Sequence, residues 1–200
     1  MSNTPFLDLA SKRRTQYALG KTLPLAQDEV TGIIQTAVRV SPTSFNSQSS
    51  RVVILFGAQS EKFWGIVKEE LRKIVPAANF ESTDKRISGF AAGAGTVLFY
   101  EDQDVVKGLQ EKLPLYADNF PIWSEQSSGM AQLAVWTALA EVNIGASLQH
   151  YNPIADAPVA AEWNIPANWK LRAQMPFGSI AAPAAEKTFI EDAVRFRVFA

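Results

Sequence analysis

Apolar residues recur at helical spacing in the segment that begins near residue 28. They occupy positions i, i+3, i+4, i+7 and i+8 on one face of an amphipathic helix: Val30, Ile33, Ile34, Ala37 and Val38. Asp28 is a suitable N-cap, because its carboxylate can accept hydrogen bonds from free backbone N–H groups. Pro42 disfavours a helical conformation at Ser41, so the pattern predicts a core-facing helix that ends there and a polar loop after it.

Two further segments have the composition of packed helices. Ser60 is the expected N-cap of a second amphipathic helix, which runs through Ile74. Residues 82–95 are expected to be helical at first, although they are rich in Ala and Gly. The stretch from Ser128 to Val142 is nearly free of charged residues. We therefore expect it to form an internal helix.

Runs rich in β-branched and aromatic residues predict strands at residues 51–56 and 96–100. We also expect strands at residues 146–149, 171–180 and 194–200. Residues 101–104, EDQD, are expected to form an acidic turn after the second strand. No internal repeat, low-complexity tract or linker divides the sequence, which predicts one domain over residues 1–200.

Composition narrows the possible functions. A hydrophobic content of 47% over 200 residues is enough for a full core. The formal net charge of -1 argues against partners such as nucleic acid or an anionic membrane. The absence of cysteine excludes disulfides and thiolate chemistry and fits a reducing cytoplasm. Since no export signal or long apolar run is visible, we expect a soluble cytoplasmic protein.

The segment RRTQY carries the first candidate site, which we place near a helix start. Arg13 and Arg14 offer guanidinium groups, Thr15 offers a hydroxyl, and Tyr17 lies beside them. Such groups together with free backbone N–H groups can hold a phosphate. The alternative is a solvated basic turn.

The loop SPTSFNSQSSR carries the second candidate site. Ser44, Asn46 and Gln48 provide both donors and acceptors, which suit the edge of a polar heterocycle. An ordinary Ser/Asn turn is the alternative interpretation.

His150 is the single histidine of the chain. One imidazole cannot form a multi-histidine metal site, and no G-x-S-x-G motif is present to support a serine hydrolase. The glycines of GFAAGAG precede a strand, whereas a dinucleotide-binding motif follows one. We therefore expect Gly89, Gly93 and Gly95 to permit close helix packing or to end a helix, and we predict no metal.

Four segments together resemble the nitroreductase family in content and in order. They are RRTQY (13–17), SPTSFNSQSSR (41–51), GASLQHYNP (145–153) and EKTFIEDAVRFRVF (186–199). The similarity is greatest to the small subgroup of fatty-acid-repression-mutant and copper-induced nitroreductases. The resemblance implies an α+β class with a three-layer fold, in which helices flank a central mixed β-sheet. It also implies an intertwined homodimer with FMN sites at the interface.

The resemblance also implies roles for particular residues. Contacts to the FMN phosphate and ribityl chain are carried over to Arg13, Arg14, Thr15 and Tyr17. The loop that the partner subunit lays against the isoalloxazine corresponds to Pro42, Ser44, Asn46 and Gln48. Leu148, Gln149 and His150 match the segment that passes the flavin ring. Lys187 and Arg195 match the C-terminal cations of the phosphate site, with Arg197 in place of Arg195 if the register shifts.

The implied activity is electron transfer from NADH or NADPH to nitroaromatic or quinone-like acceptors. In a ping-pong scheme the donor reduces the flavin and leaves, and a small aromatic acceptor then takes its place. Such a protein needs no catalytic residue of its own, because the cofactor supplies the chemistry. Two alternatives are a flavin-binding regulatory protein of the same fold with little turnover and a flavin-free interaction domain.

Overall fold

A central sheet organises the computed structural model, which describes residues 4–199. Its strands are β1 (Leu19–Gly20), β2 (Ser50–Phe56), β3 (Gly95–Asp102), β4 (Gly145–Ala146) and β5 (Trp169–Ile180). The strand order is β1-β5-β3-β2, and β4 also pairs with β5. All paired strands of the described residues are antiparallel. The sheet is mixed, as expected, only because Thr15 and Ala146 form an isolated parallel bridge.

Helices connect and cover these strands. They are α1 (Pro5–Lys12), α2 (Gln27–Val40), α3 (Ala58–Ile74), α4 (Phe80–Ala91), α5 (Gln103–Lys112), α6 (Phe120–Glu141), α7 (Asp156–Trp163) and α8 (Asp192–Arg195). Short 3-10 turns lie at Ser44–Asn46, Ala77–Asn79 and Pro114–Asn119. Within the described part of the chain, no helix combines the length and apolar character that crossing a membrane requires.

Two hydrophobic clusters lie on opposite faces of the sheet. Side chains of β3 alternate between the faces, so Phe99 packs in the cluster that contains α2 and α6. Its neighbour Tyr100 packs in the cluster that contains α3, α4 and α7. The resulting order of helices, sheet and helices confirms the expected three-layer α+β fold.

The expected caps of α2 and α3 were wrong. Helix α2 begins one residue before Asp28, and the Glu29 side chain accepts a hydrogen bond from the Ala26 N–H at 3.0 Å. Helix α3 begins at Ala58, so Ser60 lies inside it. The Ser60 hydroxyl is buried and lies 2.7 Å from the hydroxyl of Thr96 in strand β3. The sequence pattern does not reveal this partner, because it lies 36 positions further along the chain.

The acidic turn expected at residues 101–104 was also wrong. Glu101 and Asp102 continue β3, and α5 begins at once at Gln103. The Asp102 carboxylate caps this helix by accepting from the Asp104 N–H at 3.1 Å. The acidic side chains therefore serve as buried and capping groups rather than as a solvated turn.

The bounds of other elements also differ from the expected ones. The internal helix expected at 128–142 begins eight residues earlier, at Phe120, and the strand expected at 146–149 is reduced to β4 and an isolated bridge at Gln149. The strand expected at 194–200 was wrong. Val194 and Arg195 belong to α8, residues 196–199 pair with no strand of the described chain, and Ala200 lies outside the described residues.

Gly93 and Gly95 permit close packing, as expected, although the neighbours are strands β2 and β5 rather than a helix. The expectation was wrong for Gly89, which lies inside α4 and where a Cβ atom would have no neighbour within 4 Å. A Cβ atom at Gly95 would lie 2.6 Å from the Leu55 carbonyl oxygen and 2.4 Å from the Phe177 ring. At Gly93 it would lie 2.7 Å from the Phe177 carbonyl oxygen. Side chains at these positions would force strands apart.

Candidate functional site

The segment RRTQY runs from the end of α1 along strand β4. Thr15 forms the parallel bridge with Ala146, and the Gln16 N–H donates to the Ala146 carbonyl at 2.9 Å. The expectation that this segment lies near a helix start was wrong, because α1 ends at Lys12 immediately before it. Strand pairing, rather than a helix N-terminus, holds these residues in place.

A cleft of about 650 Å³ opens beside this segment, and we call it the basic cleft. One wall consists of residues 13–18, the opposite wall consists of residues 182–187, and Leu133 and Trp136 of α6 lie between them. The structure therefore brings Lys187 to the N-terminal residues predicted for the phosphate site. The volume of the basic cleft falls within the range of cofactor pockets, roughly 300–1,000 Å³.

Direct contacts hold the cations of the basic cleft in place. The Arg13 guanidinium lies over the Trp136 ring, 4.4 Å from its centroid. The Arg14 side chain donates a hydrogen bond to the Ala185 carbonyl and so joins the two walls. Partial burial, and then the charge of Arg14, lowers the pKa of Arg13. The group remains a cation, since guanidinium does not lose its proton in proteins.

Gln16, one of the residues that line the basic cleft, carries an unsatisfied polar atom. The Oε1 atom of Gln16 is buried and has no hydrogen-bond partner among residues 4–199. Such an atom is costly unless a ligand or water donates to it. Cations that can pair with a phosphate and an indole ring that can lie against the cofactor line this cleft, so the residues present fit FMN.

A second pocket adjoins the basic cleft through Tyr17, and we call it the Gln149 pocket. Its volume is about 540 Å³, and its lining comprises Tyr17, Lys85, Arg86, Gly89, Phe90 and Gln149. Gln149 is thus brought near the N-terminal segment, as the resemblance implied. The sequence alone did not indicate Lys85 and Arg86, because two adjacent cations on a helix are typical of any solvated helix surface.

The polar loop at 41–49 lies apart from both pockets. Asn46 and Gln48 are exposed, whereas Ser44 is half-buried. Phe45, Asn46 and Gln48 all have positive φ values, of 53°, 50° and 51°. A loop that presents its amides outwards in a strained conformation suits contact with a second molecule better than contact with its own cleft.

An apolar groove of about 810 Å³ lies on the surface formed by α1, α2 and α6. Pro42 lines it, as do Phe6, Ile33 and Met130. Leu133 lines both this groove and the basic cleft, so the two surfaces are continuous. Apolar surface of this kind on a folded chain is typical of a protein–protein interface.

The remaining predicted site residues occupy separate positions. Leu148 is half-buried and packs against the core cluster of α2 and α6, while His150 is exposed. Arg195 lies on α8 with its guanidinium 5.7 Å from the centroid of the Phe196 ring. Within one described chain, neither Arg195 nor Arg197 lines the basic cleft. No group of His, Asp or Glu side chains among residues 4–199 is arranged to hold a metal ion.

Comparison with known proteins identifies the family. A profile of the nitroreductase family matches residues 10–179. The chain is 36% identical to HBN1 of Saccharomyces cerevisiae over 191 residues, which is 94% of this chain and 95% of HBN1. The structure of the nitroreductase CinD from Lactococcus lactis superimposes with a TM-score of 0.91 at 54% identity and covers 98% of this chain and 100% of CinD. The chain therefore belongs to the nitroreductase family of oxidoreductases.

Proposed function

We propose that the protein binds FMN and transfers electrons from NADH or NADPH to nitroaromatic or quinone-like acceptors. The observation that carries this proposal is the basic cleft, in which Arg13, Arg14 and Lys187 face a single space beside Trp136. Cations and a hydroxyl suit a terminal phosphate, and charge-assisted hydrogen bonds make such contacts strong. When bound, FMN supplies the hydride chemistry, and the protein has to bind and orient it.

The proposed assembly is a homodimer with FMN between the subunits. The apolar groove is continuous with the basic cleft at Leu133, so covering the groove with a second copy would also enclose the cofactor. The loop at 41–49 would then present Asn46 and Gln48 to the flavin of the partner. In this assembly each site draws Arg13, Thr15 and Gln149 from one chain and the loop from the other.

The acceptor class is supported by relatives. CinD, 52–54% identical to this chain, has been solved with nicotinic acid, with chloramphenicol and with 4-nitrophenol. Each of these compounds contains a planar aromatic ring, and in chloramphenicol and 4-nitrophenol that ring carries a nitro group. We infer that the donor and the acceptor occupy the same pocket in turn, which gives ping-pong kinetics.

The absorption spectrum of the purified protein tests the proposal. We expect it to take up FMN stoichiometrically and to lose the oxidised flavin bands when NADH or NADPH is added without oxygen. Addition of 4-nitrophenol or a quinone should restore the bands. Bound FMN that neither nucleotide reduces would favour a regulatory flavin-binding protein, and a chain that takes up no FMN would refute the proposal.

A further inference from the structure

Glu101 is a fully buried carboxylate at the end of strand β3. It accepts hydrogen bonds from the hydroxyls of Ser49 at 2.6 Å, Ser50 at 2.6 Å and Ser124 at 2.7 Å. Among the described residues its partners are thus hydroxyls rather than cations. Burying a carboxylate is costly unless several donors surround it. The presence of a buried carboxylate at the end of β3 therefore needs a physical reason.

The three donors come from two different elements. Ser49 and Ser50 lie where the loop at 41–49 enters strand β2, and Ser124 lies in α6. The Ser49 carbonyl also accepts a hydrogen bond from the Asp102 N–H at 3.0 Å. Glu101 therefore ties the end of the loop to both the sheet and the helix.

The rest of the loop rests on the same end of α6. The Phe45 ring lies 5.6 Å from the Phe120 ring and 6.2 Å from the Trp123 ring, measured between centroids. The Thr43 hydroxyl accepts from the Gln48 N–H at 3.0 Å and closes the loop on itself. These contacts hold Phe45, Asn46 and Gln48 at positive φ, a conformation that non-glycine residues keep only when their surroundings impose it.

We propose that Glu101 is a positioning residue, which holds the 41–49 loop in the conformation that presents Asn46 and Gln48 to the flavin of the partner subunit. The inference rests on the proposed function, because it assumes that the loop contacts bound FMN. A flexible loop would have to become ordered on binding, and preorganisation removes that cost. Glu101 itself touches neither cofactor nor substrate in this arrangement.

The test compares Glu101→Ala, Glu101→Gln and Ser124→Ala with the matched control Ser60→Ala. Ser60 is also a buried serine bonded to a side chain of the sheet, but it lies in α3, which packs on the sheet face opposite to α6. The measurements are the FMN dissociation constant from fluorescence titration, the visible spectrum of bound FMN and the melting temperature. Ser124→Ala removes only the link to α6, so it keeps the test valid if Glu101→Ala does not fold.

We expect Ser124→Ala and Glu101→Ala to weaken FMN binding by about tenfold or more and to shift the visible spectrum. Glu101→Gln should recover part of the affinity, because its amide oxygen still accepts from a hydroxyl. Ser60→Ala should lower the melting temperature but change the dissociation constant by less than about twofold. Ser124→Ala and Glu101→Ala proteins that bind FMN as tightly as Ser60→Ala would overturn the inference alone. A wild-type chain that takes up no FMN would refute the proposed function.

Discussion

The guanidinium of Arg13 lies 4.4 Å from the centroid of the Trp136 ring. The indole is itself fixed, because its N–H donates to the Ala146 carbonyl at 3.1 Å. Thr15 bridges to the same Ala146. The cation, the ring and the N-terminal segment thus form one rigid wall of the basic cleft, which is the property that a phosphate site requires.

Arg13→Ala should weaken FMN binding by about tenfold or more, because a charge-assisted contact to phosphate is worth roughly 1.5–3 kcal/mol. Fluorescence titration with FMN measures the change. Lys107→Ala is a suitable control, since Lys107 lies on α5 and pairs with Glu111 away from the cleft. An unchanged affinity in the Arg13 variant would remove this residue from the site.

Leu133→Glu should dissociate the proposed dimer and lower its FMN content. Leu133 is 53% exposed in the single chain and lines both the groove and the cleft. A carboxylate there would be buried without a partner on association, which costs several kcal/mol. Analytical ultracentrifugation measures the effect. Ile74→Glu, at a residue 65% exposed at the end of α3, is the control. A fully dimeric Leu133 variant would place the interface elsewhere.

Deletion of the chain from Val194 onward should dissociate the proposed dimer and lower the FMN content of the protein. Val194, Phe196 and Val198 are 73%, 57% and 88% exposed, which is an unusual amount of apolar surface for a terminal segment. Covering such surface on a partner contributes about 25 cal/mol per Å². Sedimentation of the truncated protein provides the measurement. If it remains a dimer with stoichiometric FMN, the coupling between this segment and the site does not exist.

His150→Ala should retain most of the turnover. The side chain is exposed, and the reduced acceptor can take its protons from water. Steady-state kinetics with a nitroaromatic acceptor would measure kcat, with His150→Gln as the conservative comparison. A loss of about a thousandfold in kcat with FMN still bound would instead make His150 a general acid.

Asp156→Asn should stabilise the protein at neutral pH and have less effect in acid. The Oδ1 atom of Asp156 is buried without a hydrogen-bond partner among the described residues, and burial raises the pKa of this carboxyl. The folded state then holds the proton more tightly than the unfolded state, so stability falls as the pH rises from the unfolded pKa through the folded one. Melting temperatures of both proteins from pH 4 to about pH 8 test this. A difference that does not grow with pH would contradict it.

The sequence by itself determined the elements whose formation depends on local spacing. The apolar face of α2 follows from residues such as Val30 and Ile34, and both are fully buried. The runs that became β2, β3 and β5 were recognisable because most of their residues are apolar. The segment RRTQY was recognisable as a candidate anion site because its charges are adjacent in sequence, although its place after α1 was not.

Only the tertiary structure decided which distant residues meet. The Ala185 carbonyl contacts Arg14 across 171 positions of sequence, and Glu101 of β3 meets Ser124 of α6. Neither contact has a periodic pattern that could predict it. The alternation of Val194, Phe196 and Val198 is that of a strand, yet a strand also needs a neighbour for its backbone hydrogen bonds. Residues 194–199 have no such neighbour within the described chain. The segment by itself could not reveal this, because strand pairing depends on the whole fold.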